Sequence, residues 1–332
     1  MTTPEFEINR NILSGNTADY EIIRTGEILR EEKINPDVVV DFTFLEEGIL
    51  CGITEVRSLL NLILPEKTGE AFALEEGQFV ESGEVVLQIR SSYASFSIYQ
   101  TAISGILASC SGWASAAKEC YEAADGIPVI GNPARYIHPD VVGMADFSSA
   151  VGGCSSTTTM AGHYLHNLTP SGTMNHSFVL LMGDSLRAMN AFDKHMDLDI
   201  PRVALVDTFS DEIVEAIKIG HSMKGRLRGI RIDTPKSRGG VTPDLIKEIK
   251  SRLSNEKLGY LDIIVSGGLT PERIRQFVET ESPVGTFVVG HYIASGKPKV
   301  VSSDIKSIDG KSVGKRGIIP GPSNNERFIR IH

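Results

Sequence analysis

Four stretches decide the fold: RVALVDT (202–208), LRGIRIDT (227–234), YLDIIVSGGL (260–269) and TFVVGHYI (286–293). Each contains a short, largely β-branched apolar run that is followed by polar residues or glycine, as a buried strand followed by a turn is. Helical patterns lie between them, and Ser210 is the predicted N-cap of the first. Successive βα units of this length predict a parallel sheet or barrel.

The chain on either side of these units has a different pattern. The first hundred residues carry short runs such as VVVDFTF (38–44) and GEVVLQI (83–89), separated by glycine-containing turns, which predicts strands. Residues 103–124 are rich in Ala and Ser with helical spacing of the apolar positions. The tail VSSDIKSIDGKSVGKRGIIPG (301–321) predicts a hairpin around IDGK. We expect this tail to pack on the N-terminal domain.

Composition and charge exclude several classes of protein. The 332 residues are 41% hydrophobic and 23% charged, and the net charge of −9 argues against nucleic acid or an anionic membrane as partner. A small phosphorylated substrate needs only a few local cations. The N-terminus lacks the pattern of a signal peptide, and no apolar run suffices to cross a bilayer. The four cysteines form no CxxC pair, so we expect neither a zinc site nor disulfides, and a cytoplasmic location.

Polar residues collect where the predicted strands end. In a parallel barrel such ends converge on the face that binds ligands, although each residue could also just turn the chain. Ser266-Gly267-Gly268, placed before a helix, predicts a phosphate cradle. Arg231 and Asp233 alternate along one strand and therefore share a side, either as a structural pair or as ligand-binding groups.

Together with PSGTMNHSFVLLMGD (170–184) and GNPARYIHP (131–139), these motifs make the chain similar to the nicotinate phosphoribosyltransferase family, in particular its short microbial branch, from about Thr17 to Gly321. The resemblance implies a type II phosphoribosyltransferase fold: an incomplete parallel α/β barrel, residues 105–294, beside a mixed α/β, strand-rich domain formed by residues 1–104 with 295–332. It also implies small-molecule substrates and a homodimer with shared active sites.

The resemblance further implies the site residues. Asp207 and Asp233 would be catalytic and contact the ribose hydroxyls or Mg²⁺–pyrophosphate, and His176 would accept a phosphoryl group from ATP. The implied substrate-binding residues are Tyr20, Arg24, Arg135, Thr173, Arg231, Thr234, Ser237 and Arg238. The implied phosphate-binding residues are Ser266, Gly267, Gly268, Gly290 and His291.

The expected activity is the synthesis of nicotinate mononucleotide from nicotinate and phosphoribosyl pyrophosphate, coupled to ATP and with Mg²⁺, in NAD biosynthesis. Three alternatives stay open: quinolinate phosphoribosyltransferase, which also removes a carboxyl group; a non-catalytic nucleotide-binding relative; and transfer to another ring base. One departure keeps the base open, since TADYEIIRT (17–25) has Glu21 and Ile22 where the family has an aromatic pair.

Overall fold

The structure is a computed structural model that describes residues 6–166 and 170–332. The described residues form two compact units. Residues 6–116, 164–166 and 296–332 form the first, which we call the sheet unit, and residues 117–163 and 170–295 form the second, the barrel unit. The predicted domain limits, 1–104 with 295–332 and 105–294, remain a prediction. Within the described part of the chain, no helix is both long and apolar enough to cross a membrane.

The described residues contain α-helices, β-strands and four 3₁₀ helices. The α-helices are α1 (Arg10–Leu13), α2 (Tyr20–Glu31), α3 (Ile53–Ile63), α4 (Tyr93–Phe96), α5 (Gln100–Ala123), α6 (Val142–Val151), α7 (Met160–His166), α8 (His176–Met182), α9 (Ser185–His195), α10 (Glu212–Met223), α11 (Pro243–Asn255), α12 (Pro271–Glu279) and α13 (His291–Ala294). The strands are β1 (Asp37–Phe44), β2 (Gly48–Ile49), β3 (Glu70–Ala73), β4 (Phe79–Val80), β5 (Val85–Ser92), β6 (Val129–Gly131), β7 (Val203–Leu205), β8 (Gly229–Ile232), β9 (Asp262–Val265), β10 (Thr286–Val289), β11 (Val301–Ile308), β12 (Lys311–Ser312) and β13 (Ile329–Arg330). The 3₁₀ helices are Ser97–Tyr99, Pro133–Arg135, Pro139–Val141 and Lys236–Arg238.

The sheet unit is built on a six-stranded antiparallel sheet in the order β12-β11-β1-β5-β3-β13. The predicted hairpin of the tail is confirmed: Ile308 pairs with Lys311, and Asp309 and Gly310 between them both have positive φ. That conformation matches the twist of the two strands. The prediction that the tail joins the N-terminal domain is also confirmed, because β11 pairs with β1 along its whole length. The short β13 adds a strand at the opposite edge, which the sequence did not indicate.

A buried carboxylate helps to hold the tail to this sheet. Asp41 on β1 is 1% exposed, and both of its oxygens accept hydrogen bonds. The Gln88 amide donates to one at 2.7 Å, and the backbone N–H of Ser323 donates to the other at 2.9 Å. A buried carboxylate costs little free energy when its acceptors are satisfied in this way.

The barrel unit contains five parallel strands in the order β6-β10-β9-β8-β7. The prediction of alternating strands and helices is confirmed, with α10, α11 and α12 in the connections. The strands are short and carry mostly buried apolar side chains, as expected of a parallel sheet covered on both faces. Among the described residues, β6 and β7 are the edge strands, so the barrel is incomplete as predicted.

Threonine and aspartate side chains begin the helices of the barrel unit. Thr242 and Thr270 cap α11 and α12, and a proline follows each of them at the first helical position. The prediction for α10 was wrong by one residue. Asp211, not Ser210, is the N-cap, because its Oδ1 accepts from the N–H groups of Ile213 and Val214.

Candidate active site

Three consecutive parallel strands place their following polar residues together. Beyond β7, Asp207 accepts the backbone N–H of Asp233 at 2.9 Å. Arg231, on β8, donates to Ser266 Oγ and to Asp233 Oδ2, both at 3.0 Å. The structure therefore confirms that four predicted residues converge: Asp207, Arg231, Asp233 and Ser266. They lie at the carboxyl ends of the strands, where α/β folds bind ligands.

His176 joins this group from the first turn of α8. Its Nδ1 lies 3.1 Å from Thr208 Oγ1, and its Nε2 lies 3.7 Å from Asp207 Oδ1 and 4.0 Å from Asp233 Oδ2. Asn175 fixes the start of the helix, since its side chain accepts from the N–H of Phe178. The imidazole is thus held between two carboxylates and a hydroxyl, and it can act as a hydrogen-bond donor toward bound anions.

Asp207 carries the most unusual electrostatics of the cluster. Its side chain is 1% exposed, and its Oδ1 is a buried atom with no hydrogen-bond partner among the described residues. Burial raises the pKa of Asp207 above its usual value, and the nearby His176 opposes that rise. Perturbed acids with unsatisfied atoms are concentrated at functional sites. The cluster therefore has the physical signature of a site that binds a ligand.

Two cavities flank the cluster. The glycine cavity, about 590 Å³, is lined by His176, Leu180, Asp207, Thr208, Asp233, Thr234, Pro235, Lys236, Gly240, Gly267, Gly268 and Arg273. The arginine cavity, about 290 Å³, is lined by Ile130, Asn132, Ala134, Arg135, Thr158, Ser171, Gly172, Thr173, Met174, Asn175, Arg231, Ile264 and Val288. Asp233 lines the first and Arg231 the second, so the bonded Arg231–Asp233 pair lies on the border of both.

The Ser-Gly-Gly turn forms one wall of the glycine cavity. Gly267 and Gly268 have φ of 94° and 60°, and a Cβ on Gly267 would lie 3.0 Å from Asp233 Oδ1. Arg273 Nη1 donates to the carbonyls of both glycines, at 2.9 and 3.0 Å. Because a trans peptide points N–H and C=O in opposite directions, the Gly268 N–H faces away from Arg273. The turn can thus present a backbone donor to an anion.

The segment after β8 is fixed by an acid on α10. Glu212 is buried and accepts from Thr234 Oγ1 at 2.7 Å, while its other oxygen lies 3.5 Å from Arg238 Nη2. Arg238 therefore points to Glu212 rather than into the glycine cavity. Ser237 is exposed and lines neither cavity, whereas Lys236 lines the glycine cavity and makes no ion pair with the described residues.

The other predicted residues fall in three places. Arg135 and Thr173 line the arginine cavity. Gly290 and His291 line neither cavity: a Cβ on Gly290 would lie 2.7 Å from Asn132 O, and the His291 ring packs edge-on against Tyr136 at 5.4 Å. Tyr20 and Arg24 belong to the sheet unit, where they lie on α2 and stack on each other at 4.5 Å.

Sequence reasoning missed Glu212, Arg273, Asn132 and Thr158. An acid in the first turn of a helix, such as Glu212, is already favoured by the helix dipole, and an arginine in an amphipathic helix such as α12 gives no signal of its own. The Mg²⁺ site predicted at Asp207 and Asp233 gains no support, since residues 6–166 and 170–332 contain no group of three or more His, Cys, Asp or Glu side chains placed to hold a metal ion.

The chain matches two family models along most of its length. Residues 19–111 match the model described as "Quinolinate phosphoribosyl transferase, N-terminal domain", and residues 113–301 match the corresponding C-terminal domain. The chain belongs to the quinolinate phosphoribosyltransferase family. The identification with the nicotinate phosphoribosyltransferase family therefore holds only for the shared fold.

Two solved structures are similar to this chain to different degrees. A nicotinate-nucleotide pyrophosphorylase from Pyrococcus furiosus is 35% identical with a TM-score of 0.87, over 97% of this chain and 82% of that one. The human nicotinic acid phosphoribosyltransferase is 14% identical with a TM-score of 0.69, over 92% of this chain and 77% of that one, which shows the fold alone.

Curated relatives with a nicotinate name are more distant. "Nicotinate phosphoribosyltransferase pncB2" of Mycobacterium tuberculosis is 26% identical over 249 residues, which is 73% of this chain and 50% of that protein. The chain thus spans about half the length of the curated relatives that it matches.

Two predictions are overturned by the family match. The main predicted activity, an ATP-coupled nicotinate phosphoribosyltransferase, is wrong, and the quinolinate alternative fits better. ATP as co-substrate and His176 as its phosphoryl acceptor fall with it, because the quinolinate family does not use ATP. The prediction of ATP as a cofactor is therefore wrong. The prediction rested on motifs that belong to the fold, and both activities use that fold. The fold does not determine which pyridine base is the substrate.

Proposed function

We propose that this protein is a quinolinate phosphoribosyltransferase, which transfers a phosphoribosyl group from phosphoribosyl pyrophosphate to pyridine-2,3-dicarboxylate. The products are nicotinate mononucleotide, pyrophosphate and CO₂, and the nucleotide is a precursor of NAD. The observation that carries the proposal is the Arg231–Asp233 pair, since its two members line different cavities and are bonded at 3.0 Å. A transfer between two substrates needs two subsites that meet at the reacting atom.

The arginine cavity suits the base. Ile130, Ile264 and Val288 supply apolar contacts for an aromatic ring, while Arg135 and Arg231 supply cations for carboxylates. Arg135 is exposed and makes no ion pair with the described residues, so its guanidinium is available to a ligand. Two carboxylates on adjacent ring carbons would draw on both arginines.

The glycine cavity suits the phosphoribosyl pyrophosphate. Gly267 and Gly268 offer backbone N–H groups, and Lys236 offers an unpaired ammonium group. Asp207 and Asp233 would accept hydrogen bonds from ribose hydroxyls and stabilise the positive charge that develops at the anomeric carbon. His176 lies between these carboxylates and would donate to an anionic oxygen.

The reaction needs no nucleophile from the protein. The pyridine nitrogen attacks the anomeric carbon as the bond to pyrophosphate breaks, and the electron pair leaves with pyrophosphate. The bond between C2 and its carboxylate then breaks, CO₂ leaves, and the pair stays on C2 beside the positively charged ring nitrogen until a proton joins it. The protein would position both substrates and stabilise the developing charges.

Several site assignments remain predictions within this proposal: substrate contacts from Tyr20, Arg24, Thr173, Thr234, Ser237 and Arg238, and phosphate contacts from Ser266, Gly290 and His291. The homodimer is a prediction too, and light scattering of the purified protein would test it.

Product analysis tests the proposal. The protein is incubated with phosphoribosyl pyrophosphate and either quinolinate or nicotinate, with and without ATP, and nucleotides are separated by chromatography. We expect nicotinate mononucleotide from quinolinate, at a rate that ATP does not change. A nucleotide formed from nicotinate but not from quinolinate would overturn the proposal. The absence of any nucleotide would also overturn it, and is what a non-catalytic relative would give.

A further inference from the structure

Asn132 occupies a position where asparagine usually serves the backbone, yet here it does not. It is the residue before the 3₁₀ helix Pro133–Arg135, and its side chain makes no capping hydrogen bond. Instead, Asn132 Oδ1 accepts from Thr158 Oγ1 at 3.3 Å. Both side chains line the arginine cavity. The amide is therefore turned from local structure toward the cavity.

The second atom of the amide is uncommitted. Because Oδ1 is taken by Thr158, the NH₂ group is left as the free end of the side chain, and it donates to no acceptor among the described residues. Nδ2 has no partner in the described part of the chain, but it is not among the buried atoms without one, so it is accessible, and Asn132 lines the cavity. An amide N–H₂ carries two donors, which match a carboxylate oxygen.

A buried acid holds Thr158 in place. Asp146 on α6 is 1% exposed, and its Oδ2 accepts from the backbone N–H groups of Thr158 at 3.3 Å and Thr159 at 3.0 Å. The same oxygen also accepts from Thr159 Oγ1 at 2.6 Å. Gly162 permits this approach, since a Cβ there would lie 2.4 Å from the Asp146 Cβ. Three hydrogen bonds on one oxygen fix the loop that carries Thr158.

We propose that Asn132 donates a hydrogen bond to a carboxylate of the pyridine substrate, with Thr158 orienting its amide and Asp146 acting as a positioning residue behind Thr158. The inference rests on the proposed function, because it names a donor in the subsite that the function assigns to the base. Arg135 and Arg231 supply the charge in that cavity, and the neutral amide supplies a directional hydrogen bond.

The decisive variant is Asn132→Asp, which replaces the donor with a carboxylate of equal size. We expect the KM for quinolinate to rise by at least about 10- to 100-fold, since a lost hydrogen bond to a charged group accounts for that range and the new carboxylate adds repulsion, while the KM for phosphoribosyl pyrophosphate stays within about twofold. Asn190→Asp, an exposed change on α9, is the matched control and should alter neither.

Two variants of Asp146 distinguish the effect of its hydrogen-bond acceptor from the effect of its charge. Asp146→Asn keeps an oxygen acceptor toward Thr158 and Thr159, and we expect a near-normal KM for quinolinate. Asp146→Ala removes the acceptor, and we expect that KM to rise several-fold while the KM for phosphoribosyl pyrophosphate holds. A positioning role for Asp146 would be contradicted if Asp146→Asn and Asp146→Ala changed the KM for quinolinate equally, or if each variant changed both KM values equally.

Calorimetric binding of quinolinate to the whole protein keeps the inference testable apart from turnover. An inactive wild-type protein would overturn the proposed function, but weaker binding by Asn132→Asp than by wild type would still support the donor. Unchanged binding and KM in Asn132→Asp, with a normal melting temperature, would overturn the inference while the function stands. Absence of quinolinate binding to the wild type would overturn both.

Discussion

The sheet unit and the barrel unit differ in where buried side-chain polar atoms lack a hydrogen-bond partner. In the sheet unit, Asp41 has both oxygens satisfied, and Glu76 accepts three hydrogen bonds from the start of α3. The buried side-chain polar atoms without a partner, among the described residues, all lie in the barrel unit: Asp146 Oδ1, Thr157 Oγ1, Ser185 Oγ, Asp207 Oδ1 and Glu215 Oε2.

Of these five residues, Asp207 is the one that lines a cavity of the candidate site. An unsatisfied buried atom costs on the order of 1–3 kcal/mol, so a protein keeps one where something else is gained. Asp207 lines the glycine cavity, and Asp146 supports the loop at the arginine cavity. Thr157, Ser185 and Glu215 line neither cavity.

The largest expected effect is on activity, in the barrel unit. Arg231→Ala removes a cation that lines the arginine cavity and leaves Asp233 without its partner. We expect kcat/KM for quinolinate to fall about 10²- to 10³-fold, as for other lost transition-state donors. Steady-state kinetics measure it. Arg228→Ala is the control, since that side chain is exposed and makes no ion pair with the described residues.

A change at a buried carboxylate of the sheet unit should lower stability and leave activity unchanged. Asp41→Ala leaves the Gln88 amide and the Ser323 N–H without their acceptor, and we expect the free energy of unfolding to fall by about 2–4 kcal/mol. Chemical denaturation measures the loss, and kcat/KM below the unfolding transition should hold. Asp37→Ala, exposed on the same strand, should change neither. A loss of kcat/KM in folded Asp41→Ala would contradict the assignment of stability to the sheet unit and activity to the barrel unit.

The smallest effect concerns pH. Glu55 on α3 is 5% exposed, and burial, aided by the charge of Glu76, raises its pKa to about 7. A raised acid pKa means that the folded state disfavours the charged form, so this group lowers stability as pH rises from about 4.5 to about 7. Glu55→Gln should remove that dependence and gain on the order of 3 kcal/mol above pH 7.

Unfolding curves of Glu55→Gln and wild type at pH 5 and pH 8 measure this gain. Glu66→Gln, at an exposed position, is the control. An equal difference between Glu55→Gln and wild type at both pH values would show that Glu55 does not titrate in this range.

The fold was predictable because its signals are local. The apolar runs of β7 to β10 and the amphipathic patterns of α10 to α12 are visible in consecutive residues, and hydrophobic burial determines them. The N-cap of α10 shows the limit: Ser210 and Asp211 are both good caps, and only the backbone conformation selects Asp211. β13 was missed because two residues paired with a distant strand carry no periodicity.

The site was predictable where residues end strands and not where they come from elsewhere. Asp207, Asp233 and Ser266 were found because the carboxyl ends of parallel strands must converge. Glu212 and Asn132 contact threonine hydroxyls 22 and 26 residues away, so no spacing reveals them. Arg273 contacts glycine carbonyls only five and six residues away, but an arginine in an amphipathic helix gives no signal of its own. The choice of base was mispredicted because it depends on a few side chains within a shared fold.

The most direct test of the account is the stoichiometry of the reaction with quinolinate labelled with ¹³C in its 2-carboxyl group. Labelled CO₂ and pyrophosphate are measured as phosphoribosyl pyrophosphate is consumed, for the wild type and for Arg231→Ala. The account predicts equimolar release of both by the wild type, without ATP, and loss of both in the variant. Pyrophosphate without labelled CO₂, or equal release from the Arg231→Ala variant, would contradict it.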